Sequence, residues 1–238
     1  MYKKFIPKKI YLWWKERNFR SLRKKTPEEI FSDVYNQNTW GGNKGTFYSG
    51  AGTANPNTII YLDHLTSFIK ENNIQKILEI GCGDFSIMKQ LTSQVKIDYT
   101  GGDVVEALIR HNQSVFQNEH TRFIHLNAIT DDLPGADLVI IRQVLQHLSN
   151  PQIMKILNKL TRFKYALITE HVPVTDDAEY NLDKIAGPHI RMRVNSGVFI
   201  DKPPFNMKNV KVLFEYREDD KVKQKMVPAV MRTYLLEN

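Results

Sequence analysis

A chain of 238 residues, 42% apolar and 25% charged, has the length and ordinary composition of one soluble globular α/β domain with an appendage. Its single cysteine, Cys82, excludes an internal disulfide framework and fits a reducing, cytoplasmic setting, and the absence of cysteine-histidine spacing argues against a metal site. The net charge of +7 is concentrated in residues 1–25, which carry ten Lys or Arg against Glu16 alone, so the remainder is slightly acidic.

That segment interleaves its cations with Phe5, Ile6, Ile10, Tyr11, Leu12, Trp13, Trp14 and Phe19. Its apolar run, Ile10 to Trp14, is too short and too aromatic for a signal peptide, and no run in the chain reaches the ~18 residues that span a bilayer. Three readings stand open for it: a solvated or packed tail, a peripheral anchor on an anionic membrane face, and a nucleic-acid contact. Nucleic acid is the least favoured. We treat 1–25 as a tail and 26–238 as the domain.

Thr26-Pro27-Glu28-Glu29 opens a helix: a capping threonine, proline at the first position, acids in the first turn. The helix is predicted to run to about Tyr35. Residues 36–58 then lack apolar periodicity and are rich in glycine and polar residues, as expected of a functional loop or lid anchored by Trp40, Phe47 and Tyr48. Helix returns from Thr58 to Asn72, with Ile59, Leu62, Leu65, Phe68 and Ile69 at helical spacing.

Residues 76–105 form the centre of the chain. Ile77-Leu78-Glu79-Ile80 is a buried strand ended by a turn containing Gly81 and Gly83. A helix is predicted from Phe85 to Leu91, its first amides free, and a second strand from Tyr99 to Gly102 ends at Asp103. Strand, glycine turn, helix, strand and terminal acid make half of a nucleotide-binding unit, the acid placed to accept from ribose hydroxyls. Further on come a helix over Val104–Gln117, strands at Arg122–Leu126, Asp137–Ile141 and Tyr165–Thr169, a helical turn at Val144–Leu148 and a helix at Pro151–Phe163. A second long loop covers 172–206, and Val210–Arg217 with Met226–Leu236 suits an antiparallel pair. The expected fold is α/β and Rossmann-like, with a mostly parallel central sheet, helices on both faces and an antiparallel C-terminal strand pair.

The glycine turn discriminates among cofactors. Ser86 stands where a dinucleotide fingerprint needs its third glycine, no basic residue lies in the turn, and no Gly-Lys-Ser/Thr follows. An adenosine-type ligand with a charged, non-phosphate group remains, and S-adenosylmethionine fits that description.

The segments EIGCGDF, GGDVV and DLVIIRQVLQHLS resemble motifs of the class I S-adenosylmethionine-dependent methyltransferases, over roughly residues 28–206. The chain is also similar to a bacterial subgroup often associated with surface-polysaccharide biosynthesis. That likeness rests on Trp40-Gly41, on Ser49-Gly50-Ala51-Gly52, and on Ser196-Gly197-Val198 with Pro203-Pro204-Phe205. The resemblance implies that Glu79, Gly81, Cys82, Gly83 and Asp84 surround the methionine portion of the cofactor. Asp103 would hold the ribose, Val104 would pack on the adenine, Asn127 and Ala128 would meet its edge, and Arg142 and Gln143 would close the site. Amides at Asn127 and Gln143, where related sequences often carry acids, argue against metal or carboxylate catalysis there.

For catalysis, His147 is the first candidate base and His171, expected just past a strand end, the second, with Arg142 beside them. Trp40, Tyr48, Ser49 and Arg191 are expected to meet the acceptor, a small molecule or glycan. Each has a plainer reading: Cys82 as a small turn residue, Asp84 as a helix cap, His147 as a buried hydrogen-bonded histidine. The implied activity is O-methylation of a glycan, nucleotide sugar or related metabolite. The rivals are an RNA or protein methyltransferase and a non-catalytic cofactor-binding module. The oligomeric state is not readable from the sequence.

Overall fold

The computed structural model describes residues 20–53, 55–222 and 225–238. Most of the basic, aromatic tail, with Tyr11, Trp13 and Trp14, therefore lies outside the described residues. The first regular helix, α1 (Pro27–Asn36), starts at the expected cap: Glu29 N donates to Thr26 Oγ1 at 3.2 Å, and Thr26 N donates to Glu29 Oε2 at 2.7 Å. It buries Ile30, Val34 and Tyr35. Helix α2 (Thr58–Glu71) buries Tyr61, Leu62, Leu65, Phe68 and Ile69 along one stripe.

The sheet begins with β1 (Lys76–Ile80), followed by α3 (Met88–Thr92), β2 (Asp98–Asp103), α4 (Glu106–Phe116), β3 (Thr121–His125) and β4 (Leu138–Arg142). Then come α5 (Asn150–Leu160), β5 (Tyr165–Pro173), a short parallel pair β6 (Glu179–Tyr180) and β7 (Ser196–Gly197), and the edge strand β8 (Val210–Arg217). A hairpin of β9 (Asp220–Val222) and β10 (Lys225–Val227) leads into β11 (Ala229–Glu237). The seven-stranded sheet runs β3-β2-β1-β4-β5-β11-β8, parallel through β5, with β11 inserted antiparallel between β5 and β8. The predicted C-terminal pair is thus present, and the second member to be made sits inside the first.

Strand β4 explains why the centre is parallel and covered on both sides. Leu138 and Ile140 join the core under α2 and α3, while Val139 and Ile141 join the core under α5, and all four are fully buried. The chain builds β1, β2 and β3 outward on one side, then returns to the other side of β1 for β4. That reversal opens a crevice at the carboxyl ends of β1 and β4, where sheets of this kind hold ligands.

Two expectations needed correction. No helix opens at the glycine turn: residues 84–87 form a turn, Phe85 takes φ +62°, and α3 starts only at Met88. Phe85 is held there by burial among Tyr99, Phe116 and Phe123, a tertiary contact that local propensity does not encode. Strand β5 also runs four residues beyond Thr169, because β11 pairs with it as far as Pro173. His171 is accordingly inside a strand, not beyond its end.

A candidate cofactor and acceptor cavity

A cavity of about 630 Å³ lies over the carboxyl ends of β1, β2 and β4. Its floor includes Glu79, Gly81, Cys82, Gly83 and Asp103, and its far wall includes Arg142, Gln143, His147 and His171.

The glycine turn is shaped by close approach. Gly81 has φ +75°, and a Cβ there would stand 2.4 Å from Val144 Cγ2. Gly83 has φ +53°, and its Cβ would stand 2.4 Å from Ser49 Oγ. The amides of this turn are all committed within the chain. Gly81 N and Cys82 N donate to Gly102 O, Gly83 N to Asp103 Oδ2, Asp84 N to Ser49 Oγ, Phe85 N to Cys82 O and Ser86 N to Asp84 Oδ1. A phosphate cradle needs those donors free. The turn thus offers no free amide to a phosphate, and the Glu79 carboxyl lines the cavity beside it.

Asp103 fits a ribose. Its Oδ2 accepts from Gly83 N at 3.2 Å and its Oδ1 from Val105 N at 3.0 Å, so each oxygen keeps a lone pair for a hydroxyl donor. Burial raises its pKa above the ordinary value, the backbone amides of Val105, Gly83 and Val104 opposing that rise. Val104, Asn127 and Ala128 line the adjoining part of the cavity. Asn127 Oδ1 accepts from Ile129 N at 3.1 Å, which fixes the orientation of its amide. Cys82 is 7% exposed with its thiol pushed up by burial, the chemistry of a turn residue and not of a nucleophile. Burial also pushes Glu79 up to about 8, offset in part by a hydrogen bond from the Tyr99 hydroxyl and by Arg142.

The segment between α1 and α2 forms the roof, and Asp84 fastens it. Asp84 Oδ2 accepts from Ser49 N at 2.8 Å, its own amide donates to Ser49 Oγ at 2.8 Å, and Tyr35 Oη completes the group at 2.9 Å from Ser49 Oγ. Asp84 does not cap a helix; it joins two loops. Ser49 lines the cavity, but its hydroxyl is spent on this latch.

His147 sits in a short 3-10 turn (Leu145–His147) after β4, its ring 5.2 Å from Trp40 and 6.2 Å from Phe31. Its Nδ1 lies 3.3 Å from Gly187 O; a carbonyl only accepts, so Nδ1 carries the proton and Nε2 the lone pair. Burial foremost, with Lys184 nearby, lowers its pKa to about 3. It is therefore neutral at physiological pH and a weak base. His171 Nε2 donates to Glu218 O at 2.6 Å, leaving Nδ1 as its acceptor. Trp40 lines the cavity and donates through Nε1 to Pro188 O at 3.3 Å, which ties the roof to the 172–206 loop.

Two acceptor assignments are corrected. Arg191 is 2% exposed and is a strut: its guanidinium donates to Leu182 O, Leu145 O, Gln146 O, Leu148 O and Asn150 Oδ1 at 2.9–3.2 Å. Five acceptors exhaust its donors, so none is left for a substrate. Tyr48 does not line the cavity; its ring packs over the Gly41-Gly42 turn.

Sequence reasoning passed over Glu170. This fully buried acid on β5 accepts from Leu145 N at 2.8 Å and Gln146 N at 3.2 Å. Glu170 thus holds the amide side of the turn bearing His147, and Arg191 holds the carbonyl side. A glutamate inside the apolar run of β5 was the available signal.

Residues 77–163 match the sequence pattern of a family described as "Methyltransferase domain". Uncharacterized methyltransferases of Mycobacterium bovis and Mycobacterium tuberculosis are 28% identical over 96 residues, which is 40% of this chain and 48% of theirs. The chain thus spans about half the length of the curated relatives it matches. Among solved structures, the N-methyltransferase NodS of Bradyrhizobium japonicum, crystallised with S-adenosyl-L-homocysteine, superposes with a TM-score of 0.55 at 13% identity. That match covers 77% of this chain and 89% of NodS. The N-terminal domain of EvdMO1, also bound to S-adenosyl-L-homocysteine, gives 0.52 at 16% identity, covering 74% of this chain and 80% of that one. The fold is that of the Rossmann-like methyltransferases.

Proposed function

We propose that this chain is an S-adenosylmethionine-dependent methyltransferase that methylates an oxygen of a glycan, nucleotide sugar or related small metabolite. The observation that carries the cofactor is the pairing of Asp103, with two spare lone pairs in a buried site, and a glycine turn whose amides are all consumed. This combination accepts ribose hydroxyls and a cationic tail while offering nothing to a pyrophosphate. The match of residues 77–163 to a methyltransferase domain supports the same reading.

When bound, S-adenosylmethionine supplies a methyl carbon that passes to the acceptor oxygen as its bond to sulfur breaks. The chain's work is to hold both partners in line and dry, a contribution of several orders of magnitude from positioning alone. Asp103 fixes the nucleoside end, Glu79 faces the cationic end, and the Asp84–Ser49 latch holds the roof over both. His147 Nε2 stands on the cavity wall in the unprotonated state an accepting base needs. Its low basicity suits a proton that leaves late, after the oxygen has begun to bond. The glycan preference draws on the subgroup resemblance of the Trp40-Gly41 and Pro203-Pro204-Phe205 segments.

The test is calorimetry with S-adenosyl-L-homocysteine, followed by transfer of labelled methyl from S-adenosylmethionine to glycan and nucleotide-sugar fractions of the source cells. Firm cofactor binding with label entering only RNA or protein would reject the acceptor class. Absence of binding would reject the whole reading.

A further inference from the structure

Arg142 ends β4 on the cavity wall, and its guanidinium is poorly matched by the chain around it. Its Nη2 donates to Gly52 O at 3.2 Å and its Nη1 reaches Gln143 Oε1 only at 3.4 Å, while its Nε is buried away from the cavity and the group also acts on the Tyr216 hydroxyl. The Tyr61 ring lies 5.2 Å from Cζ, so one face of the group is covered by an aromatic. Among the described residues no carboxylate stands within ion-pair distance of it; the ion pairs are made by other cations. Burial raises the pKa of both Glu79 and Glu170, which weakens the counter-charge either offers, while Arg142 opposes that rise in each.

A partly buried guanidinium without counter-charge is costly, and a planar fork of donors is the usual receptor for an oxyanion. The cost rises in a methyltransferase, because a sulfonium would share the same cavity. The location separates this group from the nucleoside end. Asp103 belongs to β2, whereas Arg142 is two strands away on β4 and leans on Gly52 and α2; its neighbour Gln143 reaches Met231 on β11 at 3.4 Å. Arg193 also lines the cavity, its Nη1 donating to His189 Nδ1 at 3.3 Å, so a second guanidinium stands on the lining.

From these contacts we infer that the acceptor is an acid: it carries a carboxylate or phosphate that Arg142 receives beside the methyl-transfer position. Resting on the methyltransferase reading, this narrows the acceptor to acidic sugars and phosphorylated metabolites. The anion supplies an ion-pair partner that Arg142 does not find among the described residues and orients the acceptor through the guanidinium's Nη donors.

The test uses the full chain loaded with S-adenosyl-L-homocysteine and follows arginine Nε–Hε resonances by NMR, with Arg142 assigned through Arg142→Lys. Glucuronate and glucose 6-phosphate should shift the Arg142 resonance saturably, and glucose should not. Arg142→Gln should lose at least tenfold in affinity for either anion while its S-adenosyl-L-homocysteine affinity stays within threefold of the parent. Two results overturn the inference. One is no saturable shift with either anion. The other is a tenfold loss of S-adenosyl-L-homocysteine affinity with 5′-methylthioadenosine affinity unchanged, which would give the guanidinium to the cofactor's own carboxylate. Should the parent chain fail to bind S-adenosyl-L-homocysteine, the methyltransferase reading falls. The same titration on the unloaded chain then decides the anion receptor alone.

Discussion

Asp103 and Glu79 face one cavity and yet have different tasks, which their surroundings set. Asp103 is steadied by two backbone amides and retains acceptor capacity on both oxygens. Asp103→Ala should therefore weaken S-adenosyl-L-homocysteine by about 1.5–3 kcal/mol for each charged hydrogen bond lost, measured by calorimetry on a variant with unchanged circular dichroism. Glu79 is different: burial lifts it from the ordinary 4.5 to about 8, and Glu170 shares that shift. The folded chain then holds protons that the unfolded chain has released, so this contribution to stability is fully present below about pH 4.5 and is lost as the pH climbs through 8. Thermal melts of the ligand-free chain should fall in midpoint between about pH 5 and 8, and Glu79→Gln should flatten that fall. A midpoint that rises over this range would contradict the burial of both acids. For His147, already neutral, turnover should show no inflection between about pH 5 and 8 that His147→Asn removes, while the substitution lowers turnover and spares cofactor affinity.

Among the elements, the 3-10 turn after β4 shows how a three-residue piece is made rigid. Glu170 takes its amides and Arg191 takes its carbonyls, so the turn is held from both ends by a buried acid on β5 and a buried guanidinium in the 172–206 loop. Arg191→Ala should cost roughly 3–5 kcal/mol, since it strands several buried carbonyls and removes the cation beside Glu170. Chemical denaturation would measure it. A loss below about 1 kcal/mol would return Arg191 to the surface and reopen its assignment to substrate. The Asp84–Ser49 latch is a second case, in which a loop with no periodicity of its own is fixed by three hydrogen bonds to the glycine turn and α1.

At the scale of the molecule, the net positive charge belongs to one segment of the sequence. The cations of residues 1–25 contrast with a slightly acidic remainder. No described helix is long and apolar enough to cross a membrane. Each cation near an anionic headgroup layer contributes ~1 kcal/mol, so the full chain should co-sediment with anionic liposomes at low salt and leave them at high salt. A chain lacking residues 1–19 should stay in the supernatant and still bind S-adenosyl-L-homocysteine. That cut keeps Leu22, which stands near Gly187 below the His147 turn. If the full chain also stays in solution, the tail has no role at anionic surfaces.

The sequence by itself determined the order of elements and the glycine turn with the acid that faces it. Both depend on interactions close in the chain or on strict periodicity. Leu138 to Ile141 reads as a strand buried on both faces because every residue is apolar, and Thr26 to Glu29 reads as a helix start because its caps are three residues apart. Asp103 was legible because the βαβ unit fixes the distance from glycine turn to acid. Only the tertiary structure decided the roof and far wall of the cavity, where partners meet across 35 to 46 residues of chain. Whether Arg191 faces solvent or five carbonyls, and whether Ser49 is free or latched, follows from how two long loops fold back on β4. Loops have no period to betray their partners. A guanidinium looks the same in sequence whether its donors are filled by the chain, as in Arg191, or only partly filled on a cavity wall, as in Arg142.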